Sequence, residues 1–155
     1  GVGRRFQMLG MRDFAKGSAI VVDDYGHHPQ EIKATIDAFR SVWPDKRLVH
    51  VFQPHRYTRT KSLFTEFVNV LNLSDELLLL DIYPAGEAEI PGITSESLMG
   101  QINLHSPKAK LVTEKNFEQH LDAMIMDGDV ILMQGAGSIG QLALNLMQKK
   151  LRETA

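Results

Sequence analysis

Apolar residues along this chain fall into short runs and stripes that alternate between two periods. Ala19-Ile20-Val21-Val22 is a β-branched run closing on Asp23-Asp24, the pattern of a strand buried on both faces. Ile32, Ile36, Phe39 and Val42 then recur at helical spacing, with Pro29 in a tolerated first-turn position and Pro44-Asp45 closing the segment. Residues 48–52 predict the next strand, and Leu63, Phe64, Phe67, Val68 and Leu71 predict the stripe of a second helix. The alternation continues with strands over 76–80, 110–112 and 130–133 and helices over 95–102, 117–126 and 141–150. Residues 6–9 fit an earlier strand, with 13–18 as its return turn.

Strand–loop–helix units in succession predict a mostly parallel sheet with helices on both faces, an α/β fold. No repeat, linker or low-complexity tract divides the chain, so residues 1–155 form one domain. In such a sheet, ligands bind outside the C-terminal strand ends, near a switch in strand order. The chemically rich stretches 23–28, 53–59, 81–87 and 134–140 all fall at those ends.

Composition narrows the function without naming it. Of 155 residues 43% are hydrophobic, enough for a core without disulfide or metal staples. The net charge of -2 lacks the basic excess of a general nucleic-acid binder. Zero cysteines exclude disulfides, thiolate chemistry and cysteine-ligated metal clusters. No apolar run approaches the roughly 18 residues of a membrane span, and Gly1-Val2-Gly3-Arg4-Arg5-Phe6 lacks the apolar core of a signal peptide. A soluble cytoplasmic domain without membrane or nucleic-acid partners is expected. The missing initiator Met fits a processed chain or an excised domain.

Two stretches carry most of the candidate chemistry. Asp23-Asp24-Tyr25-Gly26-His27-His28-Pro29-Gln30-Glu31 gathers carboxylates, a phenol and imidazoles at one strand end. A carboxylate there can accept ribose hydroxyls, a tyrosine can stack on a base, and an imidazole can contact an anion or move a proton. The plain alternative is that Asp23 satisfies a loop and His28-Pro29 caps a helix. Gln53-Pro54-His55-Arg56-Tyr57-Thr58-Arg59 is too polar and punctuated for core, and it sets two guanidiniums about one helical turn apart. Near a helix start these would add to free backbone donors as a phosphate or carboxylate site. A solvated basic edge is the alternative.

Gly135-Ala136-Gly137-Ser138-Ile139-Gly140 matches G-x-G-x-x-G but stands at the last strand, where no further strand end can supply the acid of a dinucleotide site. Its glycines are expected to serve close backbone approach or a small anion nest, with Ser138 contacting a ligand or capping the helix. Glu87 and Glu89 are candidate catalytic acids, but unpaired surface acids are common and a hydrolase would want a defined carboxylate pair. No nucleophile elbow or G-x-x-x-x-G-K-[ST] phosphate loop occurs, and no metal site is expected. His50, His105 and His120 are expected to be structural or surface residues, and Met124, Met126 and Met147 core packing.

Asp23 to Pro29, Phe52-Gln53-Pro54-His55-Arg56-Tyr57-Thr58-Arg59 and Asp81-Ile82-Tyr83-Pro84-Ala85-Gly86-Glu87 resemble the C-terminal domain of the Mur ligase family of bacterial peptidoglycan synthesis. The likeness runs from Gly3-Arg4-Arg5-Phe6 to Ile139, and the first two motifs are those of its alanine-adding branch. It implies a Rossmann-like three-layer domain that closes over a site shared with two domains absent here, one for the UDP-sugar and one for ATP phosphates and Mg2+. It also implies ATP-driven phosphorylation of the lactyl carboxylate of UDP-N-acetylmuramate, followed by attack of the L-alanine amine on the acyl phosphate.

Carried over by motif, Asp24 would bond the ATP ribose and Tyr25 would lie by the adenine. His27 would place alanine, Arg56 and Arg59 would hold its carboxylate or the phosphoryl oxygens with His55 beside them, and Ser138 would line the alanine site. Gln30 stands where the family more often has threonine, a tolerable change at a helix start. The 155 residues alone are expected to be inactive, and self-association no stronger than a weak homodimer. The rival readings are a non-catalytic nucleotide- or anion-binding regulatory module on the same fold, and a purely structural domain.

Overall fold

The computed structural model describes residues 4–154, with side chains described through Gln148. Gly1 to Gly3, which enter the reading of the N-terminus, and Ala155 lie outside the described residues. Six strands form one sheet: β1 (Gln7–Phe14), β2 (Gly17–Asp24), β3 (Leu48–Phe52), β4 (Glu76–Leu79), β5 (Ala109–Leu111) and β6 (Val130–Gln134), in the order β1-β2-β6-β3-β4-β5. All neighbours are parallel except β1 and β2, a hairpin. The predicted α/β sheet is therefore present, and its one antiparallel strand is the first.

Strand periodicity divides the interior into two layers. Leu48 and Phe52, Leu77 and Leu79, and Val130 and Leu132 face α1 (Pro29–Val42), α3 (Phe64–Leu71) and α4 (Ser95–His105). The intervening Val49 and Val51, Leu78 and Leu80, and Ile131 and Met133 face α5 (Phe117–Met124) and α6 (Ile139–Thr154). Each central strand is buried on both sides because side chains alternate across the pleat. Strand β6 inserts between β2 and β3, with α1 and α6 on opposite faces, so the chain reverses direction beside the ends of those strands.

The departures from expectation have local causes. Strand β1 extends to Phe14 through a bulge between Met8 and Gly10, and the turn shrinks to Ala15-Lys16. Its register carries Arg12 into the interior, 4% exposed, where the guanidinium donates to Leu146 O at 3.1 Å and lies over the Phe14 ring. The expected second helix is α3, and a short further helix, α2 (Tyr57–Ser62), precedes it within the polar stretch after β3, the two meeting at Leu63. Val42 and Met126 are exposed, not core: Val42 is the last residue of α1, and α5 stops at Met124, two residues short of Met126. Met124 and Met147 do pack against the α5–α6 layer.

Candidate functional site

The four polar stretches meet at the C-terminal edge of the sheet. Helix α1 starts there by an N-cap at His28, whose Nδ1 accepts from Gln30 N–H at 3.2 Å. Glu31 Oε1 accepts from the backbone N–H of His27 and of His28, each at 3.1 Å. This reciprocal cap with Pro29 behind it fixes the chain direction. It gives His28 the capping role and leaves Tyr25 and His27 on the loop. The acidity of Glu31 is raised despite its burial cost, because those two N–H groups and the neighbouring His27 stabilise its charged form.

A row of rings crosses the edge. Tyr25 meets His27 edge-on with centroids 5.2 Å apart, His27 lies 5.7 Å from His55, and His55 stacks on Tyr83 at 5.5 Å. Backbone pairing of His55 with Tyr83 prolongs the β3–β4 contact beyond the strands. The row thus links the ends of β2, β3 and β4.

The arginines have different partners. Arg56 is the N-cap of α2 with φ 77° and ψ 138°, a strained conformation for a side chain with a Cβ. Its N–H donates to Tyr83 O at 2.8 Å, and Thr60 Oγ1 donates to its carbonyl at 2.8 Å. The Arg56 guanidinium is half-exposed and 3.7 Å from Glu87. Arg59 instead donates to the carbonyl and to Nδ1 of its own turn's His55, at 2.9 and 3.2 Å. Burial, then Arg59, His27 and Arg56, hold the His55 pKa below the usual imidazole value.

The loop after β4 supplies a clamp. Glu87 accepts from Thr58 N–H at 3.1 Å and from Thr58 Oγ1 at 2.5 Å. These bonds, with the cation of Arg56 as a lesser cause, lower its pKa. Glu87 is therefore paired, and it occupies a backbone donor of α2 that the sequence reading left free. The stretch after β3 also reaches the interior, since Gln53 and Thr60 are buried by the bonds they make.

Two glutamines carry what the sequence reading missed. Gln53 Nε2 donates to Ser138 Oγ at 2.9 Å, while its Oε1 accepts from Ile139 N–H at 3.1 Å. Gln53, not the Ser138 hydroxyl, thus caps the start of α6. Gln134 Nε2 donates to Asp24 Oδ2 at 2.7 Å, and its Oε1 takes His50 Nε2–H at 2.8 Å. His50 is fully buried, with Nδ1 unpartnered, and burial pushes its pKa down to about 4. The only hint in sequence was polarity at strand positions otherwise filled by hydrocarbons.

Asp24 is correspondingly crowded. Oδ1 accepts from Phe6 N–H at 2.8 Å, and Oδ2 accepts from Gly26 N–H, Thr35 Oγ1 and Gln134 at 2.9, 3.1 and 2.7 Å. Only Oδ1 keeps capacity for a further donor such as a ribose hydroxyl. Asp23 pairs with Arg4 through two bonds of 2.9 Å, and Arg4 also donates to Gly135 O at 3.0 Å and lies 5.5 Å from the Tyr25 ring centre.

The glycine loop is shaped by approach. A Cβ at Gly137 would sit 2.5 Å from Tyr83 Cγ and 2.7 Å from Gln53 Oε1; one at Gly140 would sit 2.6 Å from the Arg4 guanidinium. Ser138 lines a cavity of about 550 Å³ with Gln53, Tyr83, Thr113 and Lys115. Among the described residues no group of three or more His, Asp or Glu side chains fits a metal ion. No helix there is long and apolar enough to cross a membrane.

Comparison with known proteins gives this edge a context. The family model for the Mur ligase, glutamate ligase domain, matches residues 4–137. A curated UDP-N-acetylmuramate–L-alanine ligase of Legionella pneumophila strain Corby is 68% identical over 148 residues, 96% of this chain and 32% of that protein. The chain therefore spans about a third of the length of the curated relatives it matches. A solved UDP-N-acetylmuramate–alanine ligase from Thermotoga maritima superposes with TM-score 0.74 at 23% identity, over 99% of this chain and 31% of that one. A murein peptide ligase from Psychrobacter arcticus gives 0.72 at 20% identity, over 94% and 29%. These two show the shared fold.

Proposed function

Because this chain belongs to the Mur ligase family, we propose that it is the amino-acid-binding and closing domain of an ATP-dependent ligase joining L-alanine to UDP-N-acetylmuramate. One observation carries the reading. The ring row Tyr25, His27, His55 and Tyr83 and the guanidiniums of Arg56 and Arg59 converge at one sheet edge, beside the strand-order reversal. Rings and guanidiniums together suit a small zwitterion, with its carboxylate on cations.

In this reading His27 places the alanine, and Arg56 and Arg59 meet its carboxylate or the phosphoryl oxygens, with His55 beside them. Ser138 borders the same space. Tyr25 lies against the adenine, and Asp24 Oδ1 takes a ribose hydroxyl. In this reading the remainder of the full-length protein forms two further domains that hold the UDP-sugar and the ATP phosphates with Mg2+, in the cytoplasm. The residues described here do not fit a metal ion, so no step is assigned to one in this domain. Closure excludes water from the acyl phosphate, which would otherwise hydrolyse.

The test is phosphate release by the full-length enzyme with ATP, Mg2+, UDP-N-acetylmuramate and L-alanine. Alanine-dependent release should fall at least about 100-fold in Arg56→Ala, the scale of a lost charge-stabilising contact. Unchanged release would remove Arg56 from the site. No release from a well-folded wild-type enzyme would favour a nucleotide- or anion-binding module instead.

A further inference from the structure

The hydrogen-bond partners of the two site histidines fix which ring nitrogen carries the proton. A carbonyl can only accept, so the contact of His27 Nδ1 with Tyr25 O at 3.2 Å requires a proton on Nδ1. Glu31 Oε1, 3.6 Å from the same nitrogen, favours that tautomer. A guanidinium can only donate, so His55 Nδ1, 3.2 Å from Arg59 Nη1, is the bare nitrogen, and the neutral ring carries its proton on Nε2. In their neutral forms the two rings, 5.7 Å apart, thus present opposite characters at Nε2, a lone pair on His27 and an N–H on His55.

We propose that the histidines divide the chemistry of amide formation: His27 Nε2 takes a proton from the incoming ammonium group, and His55 Nε2–H donates to the anion beside it. This rests on the ligase reading. The ammonium N–H bond breaks with its electron pair left on nitrogen, and the proton goes to His27. That pair forms the bond to the acyl phosphate carbonyl carbon. The carbon–oxygen bond to the phosphoryl group then breaks, and phosphate leaves with its electrons and the second nitrogen proton. The imidazolium formed on His27 faces Glu31, with Tyr25 and His55 as its other ring neighbours. Glu31 is therefore a positioning residue, since it holds the tautomer without touching substrate.

The distinguishing probe is hydroxylamine, a nucleophile already uncharged at neutral pH, offered to the full-length enzyme in place of L-alanine. At saturating L-alanine, where a loss of alanine placement alone is overcome, His27→Gln should still lower kcat for ligation at least about 100-fold, the usual scale for a general base, while hydroxamate formation, which needs neither the base nor the placing of alanine, is retained. Loss of both activities, or retention of both, would overturn the assignment. A wild-type enzyme that makes neither product would overturn the ligase reading and this assignment with it. Nitrogen-15 spectra of the unsubstituted chain test the premise without a variant: they should show protons on His27 Nδ1 and His55 Nε2. The reverse pattern in either ring would also overturn it.

Discussion

Gln134 Nε2 lies 2.7 Å from Asp24 Oδ2, joining the last strand of the sheet to the second across the seam where strand order reverses. The buried amide has one face for the carboxylate and the other for His50. Gln134→Leu keeps the approximate volume but leaves the His50 N–H unpartnered and removes a donor from the Asp24 carboxylate. Each buried orphan costs roughly 1–3 kcal/mol. Urea unfolding should show a loss of about 2–4 kcal/mol, and a loss below about 1 kcal/mol would mean the chain does not hold the edge.

Backbone strain at Arg56 predicts an unusual order of stabilities. Both Arg56→Ala and Arg56→Gly lack the guanidinium, yet only glycine tolerates φ 77° without a Cβ penalty. The glycine variant should be the more stable by about 1 kcal/mol, measured as a shift in denaturation midpoint. Equal stabilities would mean that α2 relaxes its first turn once the side chain is gone.

Titration of His50 predicts how stability responds to acid. Its folded pKa of about 4 lies below the ordinary 6.5, so the unfolded chain binds a proton that the folded interior refuses. The stability is complete above about pH 6.5 and falls as pH drops toward about 4, by about 3 kcal/mol at most. His55 adds a loss of the same sign. His50→Leu should be weaker at pH 7 but flatter through this window in urea titrations, and an unchanged slope would exclude His50 as its source.

Gly137→Ala tests the glycine loop. The added methyl would meet Tyr83 and Gln53 at distances that force one of them to move. Overpacking of this kind costs about 1–3 kcal/mol, and here the displaced ring belongs to the site. The variant should fold, and its apparent affinity for L-alanine in the full-length enzyme should drop more than its stability suggests. An unaltered KM for alanine would place Tyr83 outside the site.

The sheet was legible because strands such as 48–52, apart from His50, and 130–133 are hydrocarbon on both faces, as a doubly covered sheet requires. The convergence of four polar stretches followed from topology alone. What escaped was polarity used as structure. Gln53 and Gln134 look like loop residues until their partners, roughly 80 or more positions away, are brought beside them. Arg12 gave no sign of burial, because the Leu146 carbonyl and the Glu118 carboxylate that it meets lie far along the chain. Arg56 and Arg59 looked like one fork by spacing, whereas the strained turn at Arg56 gives them separate partners. Their roles toward ligand, like those of Asp24, Tyr25, His27, His55 and Ser138, remain part of the proposal.

The proposed function stands on this sheet edge receiving the amino acid. A crystal structure of the full-length enzyme with UDP-N-acetylmuramate, L-alanine and a non-hydrolysable ATP analogue tests it most directly. Alanine should lie against the His27–His55 rings with its carboxylate on Arg56 or Arg59. Alanine held wholly by the other domains, with this edge facing solvent in the closed complex, would rule that role out.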